Sequence, residues 1–314
     1  MLSRIAESLF WIGRYIERAE NAARQLHVNY YATLESSGQF TEEWGSLLDI
    51  MGNKASFAQK YGRADASTVP VWLAFDRSNP SSISSSLMRA RENARGLRDR
   101  IPSEMWELMN QSYHALCFQD EAVLARDGLY DYCVSARAFG QSFFGIAFAT
   151  VPRDEGWMFM RTGQMLERAD NMLRLVKVNY RRNTLDLAPA QLVEQHNRWI
   201  ALLKSASAYE AFRKRNHGDI SPHTIAQFLL LDRDFPRSVV YCAENLYDAL
   251  ERLDRIHPGS HPHLLREAKW ILARLEHAEV TDIFGDSDSA LEVLLGDLNG
   301  LGQAISRAYF TYTV

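Results

Sequence analysis

The sequence predicts an all-α protein made of two tandem copies of one multi-helix unit, packed as a pseudo-twofold helical bundle. Three observations lead there. Apolar residues recur at steps of three and four along most of the chain. Alternating strand-like runs are almost absent. Blocks of residues from the first half return, in the same order, in the second.

The first element sets the pattern. Ile5, Leu9, Ile12, Ile16, Ala19, Ala23, Leu26 and Tyr30 form one apolar stripe over about residues 3–35, without a proline, before Ser36-Ser37-Gly38 stops the helix. Helices of this length are core elements of bundles. Thr41 precedes a helix over 42–51 that ends at Gly52, and Asn53 opens a short one ending near Gly62. Asn79-Pro80 predicts a helix start, because a proline in the first turn gives up no needed N–H, and that helix is expected to reach about Arg100. Ser103 is placed as the next cap, and a further helix covers about 129–150, before Pro152.

The internal repeat carries most information. At a shift of 150, Gly13, Glu17, Arg18, Ala19, Asn21, Arg24, Val28, Asn29 and Tyr30 meet identical residues at 163, 167, 168, 169, 171, 174, 178, 179 and 180. Glu20 meets Asp170. At a shift of 156, Asp76-Arg77, Pro80 and Ser82 meet Asp232-Arg233, Pro236 and Ser238. A weaker match at 162 joins Gly140-Gln141 to Gly302-Gln303 and Phe148 to Phe310. The growing shift means small insertions in the second half. The expected copies are residues 1–153 and 154–314, within one compact domain.

Composition bounds the function. The chain has 314 residues, 46% hydrophobic and 24% charged, the balance of a soluble globular protein. A net charge of -4 argues against general binding to nucleic acid or a membrane surface. Cys117, Cys133 and Cys242 lie among apolar neighbours with no CxxC spacing, which reads as reduced core thiols in a reducing compartment. Arg4, Glu7 and Arg14 interrupt any signal-peptide core, and the longest apolar stretch is too short for a bilayer, so a cytoplasmic location is expected.

The candidate site is the polar side of the two repeated helices. Arg14, Glu17, Arg18, Asn21 and Arg24 cluster opposite the apolar stripe, and Gln164, Glu167, Arg168, Asn171 and Arg174 do so in the second copy. Three readings stand side by side. The face is solvated; or it is a shared polar core in which Glu17 pairs with Arg168 and Glu167 with Arg18; or it is a polar cleft, with arginines suited to bidentate recognition of carboxylate or phosphate and a glutamate as general base. Its catalytic role is left unassigned.

Other motifs carry less. His257, His261 and His263 lie in a proline-broken run without a ligand frame, and no metal is assigned. The arginines of 89–100 read as a solvated helix face. No P-loop and no nucleophile-elbow context appear, and no cofactor is expected. Trp11, Trp44, Trp106, Trp157, Trp199 and Trp270 read as packing anchors.

The opening MLSRIAESLFWIGRYIERAENAAR closely resembles the bacterial alpha-E family, an all-helical domain with a Glu-Arg motif; Asn79-Pro80-Ser81-Ser82-Ile83, Ala90-Arg91-Glu92-Asn93-Ala94-Arg95 and Phe235-Pro236-Arg237-Ser238 also look like its motifs. The resemblance maps the named pair onto Glu17-Arg18 and Glu167-Arg168. The family's genes commonly sit beside, or are fused to, a circularly permuted ATP-grasp ligase, often with a transglutaminase-like protein. The resemblance therefore implies an accessory or substrate-binding partner of a peptide- or amide-forming ligase, with a peptide as possible substrate. The alternatives are an enzyme of the same pathway that uses the Glu-Arg pairs for acid/base chemistry, and a structural oligomeric scaffold.

Overall fold

A computed structural model describes residues 3–35, 41–119, 122, 128–181, 189–216, 220–284 and 289–310. Among them every regular element is a helix: α1 (Ser3–Glu35), α2 (Thr41–Met51), α3 (Lys54–Tyr61), α4 (Thr68–Ala74), α5 (Ile83–Arg95), α6 (Ser103–Leu116), α7 (Gly128–Thr150), α8 (Glu155–Arg181), α9 (Pro189–Ser205), α10 (Tyr209–Asn216), α11 (Pro222–Leu231), α12 (Val239–Ile256), α13 (Pro262–Glu276), α14 (Val280–Ile283) and α15 (Ser289–Tyr309). No described helix is long and apolar enough to cross a membrane.

The chain divides into two compact units, Met1–Gln164 and Met165–Val314, so the division falls inside α8. The repeat boundary expected near 153 lies in the turn between α7 and α8.

In the first unit α1 packs along α5 and α7, and α6 lies against both of these. Small α4 rests on α1 and α5, and α2 on α1 and α3. The core is built from Phe10, Ile12, Ile16, Ala23, Leu26, Leu87 and Phe143, all nearly inaccessible. In the second unit α13 packs on α12 and α15, while α11 touches α9, α10, α12 and α14. Its core includes Leu229, Val239, Leu246, Leu253, Ile271 and Leu298.

Each unit enters its first bundle helix after α4 or α11 through the same turn. In the first, the Asp76 carboxylate accepts from the Ser78 N–H (2.9 Å), Ser82 N–H donates to the Asn79 carbonyl (3.2 Å), and the Ser82 hydroxyl accepts from Ser85 N–H (3.1 Å) to cap α5. In the second, Asp232 accepts from Asp234 N–H (2.9 Å), Ser238 N–H donates to the Phe235 carbonyl (2.9 Å), and the Ser238 hydroxyl accepts from Tyr241 N–H (3.1 Å) to cap α12. A cation clamps each aspartate: Lys60 holds Asp76 at 2.6 Å, and Arg215 holds Asp232.

Three expectations about helix ends are corrected here. Asn79-Pro80 does not begin α5; the helix starts at Ile83 behind Ser82, because the buried Asn79 side chain is spent on the turn, donating to the Trp72 carbonyl (2.9 Å) and accepting from Ser81 N–H (2.9 Å). That helix ends at Arg95 rather than Arg100. Ser103 is the first residue of α6, with Pro102 in the cap position. Among the tryptophans, Trp44 and Trp199 are buried anchors, but Trp270 is 64% exposed.

The candidate polar site on the Glu-Arg helices

The middle of α1 is covered on every side. Ala19 through Leu26 are all buried, and two consecutive helical turns leave no direction for a solvated face. The solvated reading therefore does not hold for the middle of this helix, where the residues opposite the apolar stripe are buried as well. Glu17 (0% exposed), Asn21 (3%) and Arg24 (2%) lie in the interior, while Arg14 and Arg18 are half-buried.

Burial requires that these groups be paired. Arg24 makes an ion pair with Glu20, one turn earlier, and also donates from Nη1 to the Asn21 Oδ1 (3.0 Å). Glu20 packs against Gly140 of α7: a Cβ there would lie 3.1 Å from the Glu20 Cβ and 3.2 Å from Oε2. The missing side chain is what lets the carboxylate fit between the helices. Glu17 accepts from Gln164 Nε2 (3.2 Å), and Gln164 Oε1 accepts from Arg161 Nη1 (2.7 Å). So Glu17 and Gln164, both predicted site residues, do come together inside the first unit.

The contact that brings them together is reciprocal. A Cβ on Gly13 would stand 2.1 Å from the Met160 carbonyl oxygen, and one on Gly163 would stand 2.0 Å from that of Phe10. The first turns of α8 therefore lie backbone to backbone against α1. Glycine within a helix costs about 1 kcal/mol relative to alanine, and close approach is what that cost allows.

The half-buried arginines point to aromatic rings. Arg14 lies over Trp11 (5.5 Å) and Arg18 over Tyr15 (5.6 Å), and Trp11 and Tyr15 stack on each other at 5.2 Å. Glu17 and its neighbour Arg18 thus part ways, the carboxylate to the interior and the guanidinium to a ring.

In the second unit the same residue types sit closer to solvent. Glu167 is buried, at 8% exposure, but Arg168, Asn171 and Arg174 are half-buried. Arg174 grips Asp170 through two hydrogen bonds, of 2.8 and 3.3 Å. Arg168 Nη1 donates to the Pro236 carbonyl (3.1 Å), which ties the Glu-Arg helix to the turn before α12. The Asp-Arg-x-x-Pro block, read from sequence only as a turn, thereby becomes a partner of the motif arginine.

Two residues of the polar cluster, Glu20 and its counterpart Asp170, are not among the candidates that sequence identity picks out. Their signal was available: an acid four residues before an arginine, in both helices, at the favourable helical spacing.

Farther along α1, Arg137 of α7 donates to His27 Nδ1 at 2.9 Å, and burial, followed by that guanidinium, holds the imidazole below its ordinary pKa. Burial raises the thiols of Cys117 to about 11 and Cys133 to about 12, so both stay protonated; Cys242 is likewise buried and in no disulfide. The His261 and His263 rings lie 6.0 Å apart, and among the described residues no group of three or more His, Cys, Asp or Glu is placed to hold a metal ion.

The family Alpha-E, described as a predicted alpha-helical domain with a conserved ER motif, matches residues 1–310. The chain belongs to this family. It is also similar to uncharacterized proteins of Mycobacterium bovis (25% identical) and Mycobacterium tuberculosis (25% and 24% identical for two strains), each over 302 residues. These matches take in 90% of this chain but 34% of the relatives, so the Alpha-E chain spans about a third of their length. No solved structure matches.

Proposed function

We propose that this Alpha-E protein is a non-catalytic helical partner of a circularly permuted ATP-grasp ligase that forms peptide or amide bonds, with a transglutaminase-like protein as a further member of the same system. The observation that carries the non-catalytic part is the burial of the first Glu-Arg helix. A general base must reach its substrate's proton, whereas Glu20 is closed against Gly140 and paired with Arg24, and Glu17 is fully buried. In the mycobacterial relatives the matching region occupies about a third of a longer chain. The ligase itself rests on the family resemblance.

The same reading takes the two units as tandem copies, supported by the matched residue blocks and the matched capped turns. It places the protein in the cytoplasm, supported by three buried cysteines without a disulfide.

Co-expression with a circularly permuted ATP-grasp ligase from the same genome tests the proposal. The two should co-purify, and ligation should fall when the Alpha-E protein is omitted. Separate elution together with unchanged ligation would overturn it. Glu17→Gln should leave ligation rates intact in any sample that remains folded; a specific loss of turnover would favour an enzyme instead.

A further inference from the structure

One end of the first unit holds a cavity of about 470 Å³, a size at which pockets bury small ligands. Its walls come from three places: the first turns of α1 (Ile5, Leu9), the turn from α5 to α6 (Ile101, Met105) and the start of α8 (Trp157, Met160). All are apolar, and methionine adapts to varied ligand shapes.

The walls are fixed by the fold. Arg153 donates to the Phe148 (2.5 Å) and Val151 (2.6 Å) carbonyls at the end of α7, and its guanidinium lies 3.9 Å over the Trp157 ring. Asp154 Oδ1 accepts from Trp157 N–H (3.1 Å) at the start of α8. Across the cavity, Ile101 N–H donates to the Leu97 carbonyl and Met105 N–H to that of Pro102, each at 3.1 Å.

The polar lining has both signs, on separate segments. Arg100 comes from the α5–α6 turn, and Asp154 and Glu155 from the α7–α8 turn. Among the described residues no cation pairs with Asp154. The ion pair of Arg100 is with its chain neighbour Asp99, at 3.3 Å between two exposed side chains. Such a pair is worth little and yields readily to a ligand.

We infer that this cavity binds an apolar zwitterion of dipeptide size. The apolar side chains pack on Met105, Met160 and Trp157. The carboxylate meets the Arg100 guanidinium, whose planar fork suits it, and the ammonium meets the Asp154 carboxylate of the α7–α8 turn. A ligand with one charge leaves one side of the rim unanswered. This inference does not depend on the ligase partnership: loss of co-purification would leave it standing.

Calorimetric titration of the full chain with L-leucyl-L-leucine, its N-acetyl form and its C-terminal amide tests it. The dipeptide should bind saturably, and each capped form about fivefold more weakly. Asp154→Asn keeps a good helix cap while removing the charge; it should weaken the dipeptide about fivefold and leave the N-acetyl form unchanged. Arg100→Gln should do the reverse, weakening the dipeptide and sparing the amide. Ile5→Trp, which fills the cavity from α1, should abolish binding. Absence of saturable binding to the wild type overturns the inference, as do equal affinities for the three ligands. Unaltered binding in a folded Ile5→Trp variant does so as well. If that variant fails to fold, the capped ligands decide alone.

Discussion

The two Glu-Arg helices carry the same acid-to-arginine pair and use it differently. In α1, Glu20 and Arg24 are each 2% exposed; in α8, Asp170 and Arg174 keep 17% and 32% of their side chains in contact with solvent. Sequence spacing makes both pairs possible, and surroundings decide what each is worth. A charge in a dry interior that loses its partner has nowhere to be solvated. A pair at the surface loses only a screened attraction. The comparison teaches that matched positions in the two helices share residue types more faithfully than environments.

Substitutions in the two helices test this contrast. Arg24→Ala should give the largest effect, about 3–5 kcal/mol lost, because it takes a buried ion-pair partner from the Glu20 carboxylate; urea denaturation measures it. Replacing both partners at once, with Glu20→Leu and Arg24→Met, should be milder than Arg24→Ala alone, since no charge is then left behind.

Next come Gly13→Ala and Gly163→Ala. Each presses a methyl group into a backbone carbonyl that cannot yield, and each should cost about 1–3 kcal/mol. Because the contact is reciprocal, the two losses should be similar, in contrast to the unequal ion pairs. Thermal melts of both variants side by side check this.

A smaller effect appears in acid. Burial alone would raise the Asp76 pKa, but hydrogen bonds from Lys60, Ser78 and Tyr61 outweigh it and hold it at about 2. A carboxylate depressed by folding adds stability above its unfolded pKa of about 4, and that stability is lost as pH falls toward 2. The stability gap between wild type and Asp76→Asn should therefore shrink between pH 4 and pH 2. Smallest of all, Arg174→Ala should cost about 0.5 kcal/mol, since its pair is partly solvated.

Much of the fold could be read in advance. The extent of α1 followed from an unbroken 3.6-residue pattern without proline, and α7 from its approach to Pro152. Helix starts were harder. Asn79-Pro80 carries the right residues for a cap, but the Asn79 side chain satisfies the Trp72 carbonyl, a partner seven residues back that no local pattern reveals. The polar cluster was legible as a set of residues and not as an environment. Periodicity marked a stripe on α1, yet α5, α7 and the start of α8 cover the remaining faces, and only tertiary packing supplies that. Glu20 does not stand out by identity because its counterpart in the second helix is an aspartate, with the same charge and spacing. Trp270 shows the opposite error: a large apolar residue in a helical pattern that remains exposed.

The measurement that tests the central claim most directly is a pair of double-mutant cycles. One takes Glu20→Gln, Arg24→Gln and both together; the other takes Asp170→Asn, Arg174→Gln and both together, with stability read by chemical denaturation. The account predicts a coupling of about 2–3 kcal/mol in α1 and below about 0.5 kcal/mol in α8. Equal couplings, or a negligible one in α1, would contradict it.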